Sequence, residues 1–328
     1  MFHGYGAYPT AWIERDGELV FGTIQPETQD ALNRLRRFYS LGIINPEFAT
    51  MNLDQLVADI SGDRVGILFG EWWLPAWPMN HNVDFNNDAD WRATHIVTPT
   101  GAPGNSLVPR DNISHRLVVS ANAPEGAEEA LIRIVNNWWD LSRPLAVERF
   151  GDLLEPSNGF VWNMVPAHVI LAHEQHVNYV TVNEVLISGD VSRLTGGFGL
   201  GAQGGLYTAT RWLRDGTTFY DVIEGWETPT LGHAWGLYTS RIAHHGGWGL
   251  TEQIRENGQF IFNEYFGEPT PTQISRSSIL NDMWTEFYAR YIMGDLPYEA
   301  WDTFVSDWWN LGGEAWTNEV NEQFRALQ

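Results

Sequence analysis

The chain has no cysteine and no lysine. The first absence excludes disulfides, thiolate metal sites and cysteine nucleophiles, and fits either a reducing cytosol or an exported protein that avoids free thiols. The second leaves Arg as the source of every fixed positive charge, 19 against 41 Asp and Glu, for a net charge of -22. A field of that sign repels phosphate backbones and anionic lipid surfaces, which disfavours nucleic-acid binding and electrostatic membrane docking and leaves a neutral ligand as the best fit. Long apolar runs are missing as well: none approaches the length of a membrane span. The opening residues, MFHGYGAYPTAWIERDG, lack the charged start, apolar middle and small-residue cleavage site of a secretory signal.

Aromatic surface is what the chain has in excess. Seventeen Trp, 11 Tyr and 16 Phe in 328 residues are more flat apolar area than a core of this size uses, which favours rings presented to a ligand. The length allows two lobes and a sizeable core without a stabilising metal. The richest stretch is GDRVGILFGEWWLPAWP, Gly62 to Pro78. Val65 to Phe69 has the length and composition of a buried strand, Gly70 stops it, and Trp72, Trp73 and Trp77 follow at the strand end. Core packing and ligand contact are both open for these indoles. In open α/β sheets, strand ends are where ligands bind.

Periodicity organises much of the rest. Pro26 to Ser40 reads as a helix with Ala31, Leu32, Leu35, Phe38 and Tyr39 on one face, opened by Pro26 and ended by Gly42 and Pro46. Thr94 to Val97 and Leu117 to Ser120 read as short strands, and a helix opened by Pro124 runs to about Trp139. Residues 20 to 140 therefore read as α/β. A helix is expected from Pro166 to Ile187 and a glycine-rich turn region from Gly196 to Gly205. At the C-terminal end, helices are expected over Ile279 to Met293, from Pro297 through Trp308, and over Trp316 to Leu327, punctuated by Gly294 and the Gly312, Gly313 pair.

Several motif matches fail on their own chemistry. Gly199, Gly201 and Gly204 satisfy GxGxxG, but no hydrophobic strand leads into them. HEQH at His173 to His176 is one residue short of the spacing that sets two imidazoles on one helix face, and the adjacent His244 and His245 diverge. Asp84, Asn86, Asp88 and Asp90 copy the first ligands of a calcium loop, but Ala89 stands where the turn needs Gly and His95 where the bidentate Glu belongs.

Four segments carry a family likeness: residues 5 to 48, GDRVGILFGEWW at 62 to 73, ADWRATHIVTPTGAPG at 89 to 104, and 265 to 324, which includes EPTPTQISRSSILNDMWTEFYARYIMGDLPYEAWDTFVSDWW. In order and spacing they resemble the extracellular solute-binding proteins (family 1-like) of carbohydrate ABC transporters, in the large lipoprotein branch of Gram-positive bacteria. The resemblance implies an α/β fold of the periplasmic-binding-protein-like type II, with two lobes, the first incomplete, and a helical C-terminus. It implies a second-lobe segment over 1–140, a return through the first lobe and hinge over 141–270, and C-terminal helices packing on the second lobe over 271–328. Family members are longer and begin with a signal peptide, a lipid-modified Cys and much of the first lobe, so the chain reads as an N-terminally incomplete member. The full-length protein would be lipid-anchored on the extracellular face.

The implied function is capture of an oligosaccharide or other sugar by indole stacking, hydroxyl hydrogen bonds and lobe closure, for delivery to the transmembrane subunits of an ABC permease. The binding protein would be a monomer with no catalysis, cofactor or metal. In the related maltodextrin-binding branch a Gly-x-Trp supplies a stacking indole, and it maps onto Gly70, Glu71 and Trp72. Trp73 and Trp77 are alternates, and Glu71 a hydroxyl partner. Tyr5, near the hinge, His233 and Trp235, in the return through the first lobe, and Thr272 and Gln273, at a crossover, complete the expected ligand-binding set. A glycoside hydrolase is the rival from another class; its two carboxyl groups would be Glu71 with Glu224 or Glu227.

Overall fold

The computed structural model describes residues 1–109, 117–141, 173–194, 203–215 and 230–328. Two strands near the start, β1 (Trp12–Arg15) and β2 (Glu18–Phe21), form an antiparallel hairpin in which Arg15 faces Glu18. Its two-residue turn is Asp16-Gly17, with φ of 53° and 85°; positive φ at both central positions is what a hairpin turn matched to strand twist requires. Alternation then sends Trp12, Leu19 and Phe21 into the core.

The other described ladder is parallel and equally short, β3 (Ser106–Pro109) with β4 (Phe260–Asn263). The remaining regular structure is mostly helical: α1 (Pro26–Ser40), α2 (Leu53–Ser61), α3 (Met79–Phe85), α4 (Ala127–Leu141), α5 (Glu174–Ser188), α6 (Gln203–Asp215), α7 (Leu231–Arg241), α8 (Gly247–Glu256), α9 (Pro271–Met293), α10 (Ala300–Trp308) and α11 (Glu314–Ala326). No described helix is long and apolar enough to cross a membrane.

Residue contacts divide the chain into two units. The first comprises Met1–Glu71, Ala89–Asp111 and Leu250–Gln328; the second comprises Trp72–Asp88 and Asn112–Gly249.

The first unit is built around rings from distant parts of the chain. Trp12, Phe21, Tyr288, Tyr291, Trp301, Phe304, Trp308 and Trp316 share one buried cluster. Phe21 stacks on Trp308 at 5.5 Å and Phe287 on Phe304 at 4.2 Å. The long helix α9 is framed by its own punctuation: Thr270 accepts the Gln273 N–H, Pro271 occupies the first turn, and Gly294 (φ 88°) closes it. Between α10 and α11 a π turn, Trp309–Gly313, passes so close to Trp308 that a Cβ on Gly313 would lie 2.2 Å from that indole.

Polar groups in this unit are tied down across long sequence separations. The Asn321 side chain accepts from the Leu19 N–H (2.6 Å) and donates to the Leu19 carbonyl (2.9 Å), acting as a neighbouring strand for β2. The buried Tyr288 hydroxyl donates to the Thr23 carbonyl, and burial pushes that phenol far above its ordinary range.

The second unit packs α7 against α6 and α3. Its buried cluster contains Val182, Val185, Leu206, Tyr207, Ala234, Leu237, Ile242 and Trp248.

The α/β, two-lobed periplasmic-binding-protein-like fold expected from the family likeness is not what forms. Of the three expected strands, Val65–Phe69 and Leu117–Ser120 join no ladder, and Thr94–Val97 contributes a single bridge, Val97 to Pro103. Apolar, β-branched composition is a propensity that becomes a strand only where neighbours supply hydrogen bonds and cover both faces. Here Ile67 is 73% and Val118 85% exposed. The resemblance therefore rested on local patterns that the chain realises as helices and loops. The helical C-terminus does form, with α9 beginning eight residues earlier than the periodicity indicated. The glycine-rich stretch ends inside a helix, since Gly204 and Gly205 are buried in α6.

Candidate functional site

Helix α7 carries Gly232, Gly236 and Ser240 four residues apart, so small side chains line one face. The segment 72–84 lies directly on that stripe. A Cβ on Gly232 would come 2.0 Å from the Asn80 carbonyl oxygen, one on Gly236 2.6 Å from that of Pro75, and one on Gly247 2.3 Å from that of Trp72. Backbone touches helix because nothing larger than hydrogen intervenes. Asp84 fastens the far end, accepting from the Gly232 N–H (2.7 Å) and the Thr230 hydroxyl (2.8 Å) at the start of α7.

This approach sets Trp72 against Trp248, ring centroids 5.4 Å apart, and places the guanidinium of Arg241, the last residue of α7, over both rings at 5.1 and 5.8 Å. Arg241 Nη1 donates to the Ser240 hydroxyl at 2.7 Å, and that hydroxyl donates back to the Gly236 carbonyl. Arg241 is half-buried, and no carboxylate among the described residues is within salt-bridge distance of it. Desolvation pulls the guanidinium from its ordinary value down to about 10, still fully charged near neutrality. Beside it, the buried Trp248 Nε1–H has no acceptor. Trp308 and Trp316 also bury unpaired indole N–H groups, but they lie in the ring cluster of the first unit. At Trp248 an unpaired donor adjoins a cation that no described carboxylate compensates.

Such an arrangement can do one thing well chemically: present charge-assisted donors, preoriented by two indoles and a serine, to an anionic acceptor that the described residues do not supply. His233 sits on the same helix. Burial holds it below the ordinary imidazole value, with the Asp84 carboxylate pulling it up and Arg241 pushing it down.

The residues expected to bind ligand are distributed over both units. In the second unit, Trp72 is half-buried and packs against the buried cluster, whereas Trp73 and Trp77 are exposed and stack on each other at 6.2 Å. His233 and Trp235 are half-buried on α7. In the first unit, Glu71 is exposed, and Tyr5 accepts a hydrogen bond from Arg34 Nε at 2.9 Å. Thr272 donates through both N–H and hydroxyl to Glu319. The Gln273 N–H caps on Thr270, and its side-chain oxygen is buried without a partner. None of the nine lines the open groove of about 300 Å³ in this unit, which is bordered by Glu14, Glu264, Phe266, Phe324, Leu327 and Gln328.

Arg241 and Trp248 were missed by sequence reasoning, although a signal exists. From Thr228 to Thr251 there is no Asp or Glu, in a chain that has 41. An Arg inside an acid-free stretch has no local partner to neutralise it.

The discounted motifs find ordinary uses. Asp84 caps a helix, Asn86 accepts from the Asp88 N–H, and Asp90 pairs with Arg92. Among the described residues no group of three or more His, Asp or Glu is arranged to hold a metal. Gly199 and Gly201 lie outside the described residues, as do Glu224 and Glu227 of the hydrolase pairing.

Comparison of the chain with protein-family models, with curated proteins and with solved structures finds no match. Carbohydrate capture for ABC-transporter uptake required an α/β sheet in each lobe with a sugar at the strand ends. Among the described residues neither unit contains such a sheet, and the segment leading into Trp72 is not a strand.

Proposed function

We propose that the chain is a non-catalytic binding protein whose second unit takes the carboxylate of a small organic acid at Arg241. The observation that carries this reading is the half-buried guanidinium without a carboxylate partner among the described residues, held between Trp72 and Trp248, in a chain with twice as many acids as bases. A buried charge is ordinarily paired, and the acids to pair it are abundant. The ligand oxygens would accept from the free guanidinium N–H groups of Arg241. Nucleic acid has no place in this reading, because its extended phosphate backbone meets the whole field of -22, whereas a small acid meets one local cation.

The test is calorimetric titration with benzoate, acetate and succinate, with benzamide as the neutral isostere of benzoate, followed in parallel by tryptophan fluorescence. A carboxylate should bind and benzamide should not, and Arg241→Gln should weaken binding by roughly ten- to a hundredfold, the loss of one charge-assisted hydrogen-bonding group. Binding unchanged in Arg241→Gln, or no carboxylate bound at millimolar concentration, would refute the reading.

A further inference from the structure

Of the described asparagines, Asn257 is the one that a glycine follows, in the link Asn257-Gly258-Gln259 between α8 and β4 of the first unit. Such a pair can react with itself. The glycine nitrogen can reach the asparagine side-chain carbonyl carbon, and with no Cβ on the glycine nothing crowds the five-membered ring that closes. Both residues are exposed, so water has access to that ring. Gly258, with φ of 65°, makes the left-handed turn that ends α8. Its N–H donates to the Arg255 carbonyl at 3.1 Å, and the Gln259 N–H donates to the Ile254 carbonyl at 3.0 Å. The first of these bonds restrains the nucleophile, so attack waits for the last turn of α8 to open. That turn faces solvent, and Glu256 adds negative charge where the helix dipole is already negative; both favour opening. The link leads straight into the backbone that holds the hairpin. The Gln259 carbonyl accepts the Ser106 N–H at 2.9 Å and so begins the β3–β4 ladder. At the other end of β4, Asn263 Oδ1 accepts the Trp12 N–H at 3.1 Å, and the Glu264 N–H donates to the Trp12 carbonyl at 2.9 Å.

We propose that Asn257 is a self-modification site, released when the last turn of α8 opens, through which the β4 strap of the first unit loosens with time. The Gly258 nitrogen bonds to Asn257 Cγ, the bond from Cγ to the side-chain nitrogen breaks, and that nitrogen leaves as ammonia with the proton given up by the Gly258 amide. Water then opens the cyclic imide. Addition at the side-chain carbonyl gives aspartate; addition at the main-chain carbonyl gives isoaspartate, in which the chain runs on through the former side chain. Only solvent water is consumed, and nothing is oxidised or reduced. Both products set a new carboxylate beside Glu256 at the negative end of α8. Isoaspartate also adds a methylene to the main chain, two residues before Ser106 takes its bond from Gln259, so the turn that closed α8 and the start of the β3–β4 ladder can no longer form together. The damage is directed along β4 toward the two bonds on Trp12.

The experiment incubates the full chain in mildly alkaline buffer and follows it by peptide mass spectrometry, with electron-transfer fragmentation to tell isoaspartate from aspartate. Asn257 should convert at least tenfold faster than any other described asparagine, with isoaspartate in excess. Urea below the unfolding transition should speed the conversion several-fold, because it opens the helix end. In the isoaspartyl chain, amide hydrogen exchange over residues 259–263 should rise at least tenfold. Asn257→Gln, an exposed change that lengthens the side chain and disfavours ring closure, should stop the conversion and leave exchange as in the parent. Asn257→Asp carries the charge without the added methylene and should raise exchange less than isoaspartate does. Three outcomes would overturn the proposal: conversion at Asn257 no faster than at the other described asparagines, a rate that urea does not move, or an isoaspartyl chain whose β4 amides exchange as in the parent.

Discussion

The two units bury aromatic rings to similar ends, and one arginine in each, Arg36 in the first and Arg241 in the second, lies among those rings in a different setting. In the first unit Arg15 meets Glu27 at 2.9 Å, Arg64 meets Asp59, and Arg36 donates to the Leu296 carbonyl while lying 4.2 Å from the Tyr298 ring. In the second unit Arg193 meets Glu184 and Arg211 meets Asp215, whereas Arg241 has two rings and a serine hydroxyl and no carboxylate partner among the described residues. Rings lower the energy of a cation but do not neutralise it. Arg34 and Arg36 of the first unit also lack a carboxylate partner among the described residues, but Arg241 is the guanidinium whose pKa burial lowers, so its charge is held at a desolvation cost that a bound anion would offset.

The contrast extends to how each unit closes its core, and the largest expected effect tests it. Trp308 is fully buried, stacked on Phe21 and pressed by the Gly313 backbone. Trp308→Ala should cost about 3–5 kcal/mol in denaturant unfolding, because the surrounding ring lattice cannot collapse into the space. In the second unit closure depends on absent side chains instead. Gly236→Val places a Cβ where the Pro75 carbonyl stands and should cost roughly 2–3 kcal/mol, with segment 72–84 becoming susceptible to proteolysis. Equal tolerance of both substitutions would dissolve the distinction between a ring-filled and a backbone-filled core.

How much of this was legible in the sequence depends on how local each cause is. Helix α1 matches its expected bounds, Pro26 to Ser40, because apolar spacing, an opening proline and a closing glycine all lie within the element. The C-terminal helices were legible for the same reason. Strands were misread because Val65–Phe69 states its own preference and says nothing about a partner. The hairpin that does form was overlooked, although Asp16-Gly17 between alternating runs is a short-range signal for it. At the candidate site Trp72 was singled out as an indole at a strand end, whereas its setting comes from glycines 160 and more residues away on α7. The Arg241 pairing deficit needs both the acid-free stretch and the fold that half-buries it.

A smaller effect probes polar satisfaction in the first unit. Asn321→Leu strips the Leu19 N–H and carbonyl of the side-chain amide that satisfies both, and should cost about 2 kcal/mol by denaturant unfolding. Acid sensitivity supplies a comparison across the units, since burial lowers the pKa of both His3 and His233. A histidine that resists protonation when folded is protonated first in the unfolded chain. Stability is therefore full above the unfolded value near 6.5 and falls as pH drops from there toward the lower folded value. His233→Gln should flatten that part of the pH–stability curve, and so should His3→Gln.

The smallest expected change in stability is the one that separates the two units most sharply. Arg36→Met removes a guanidinium that satisfies the Leu296 carbonyl, and should cost about 1–2 kcal/mol. Arg241→Met keeps the apolar stem between Trp72 and Trp248 and removes a desolvated charge that no described carboxylate compensates, so unfolding free energy should stay within about 0.5 kcal/mol of the parent or rise. The same variant should lose carboxylate binding and should let His233 titrate higher, because Arg241 is one of the charges holding that imidazole down; the two-dimensional NMR titration of His233 reads this directly. A guanidinium kept for folding would behave like Arg36. If Arg241→Met destabilises as much as Arg36→Met while His233 does not move, Arg241 is a structural cation like the others, and the difference between the units is one of packing alone.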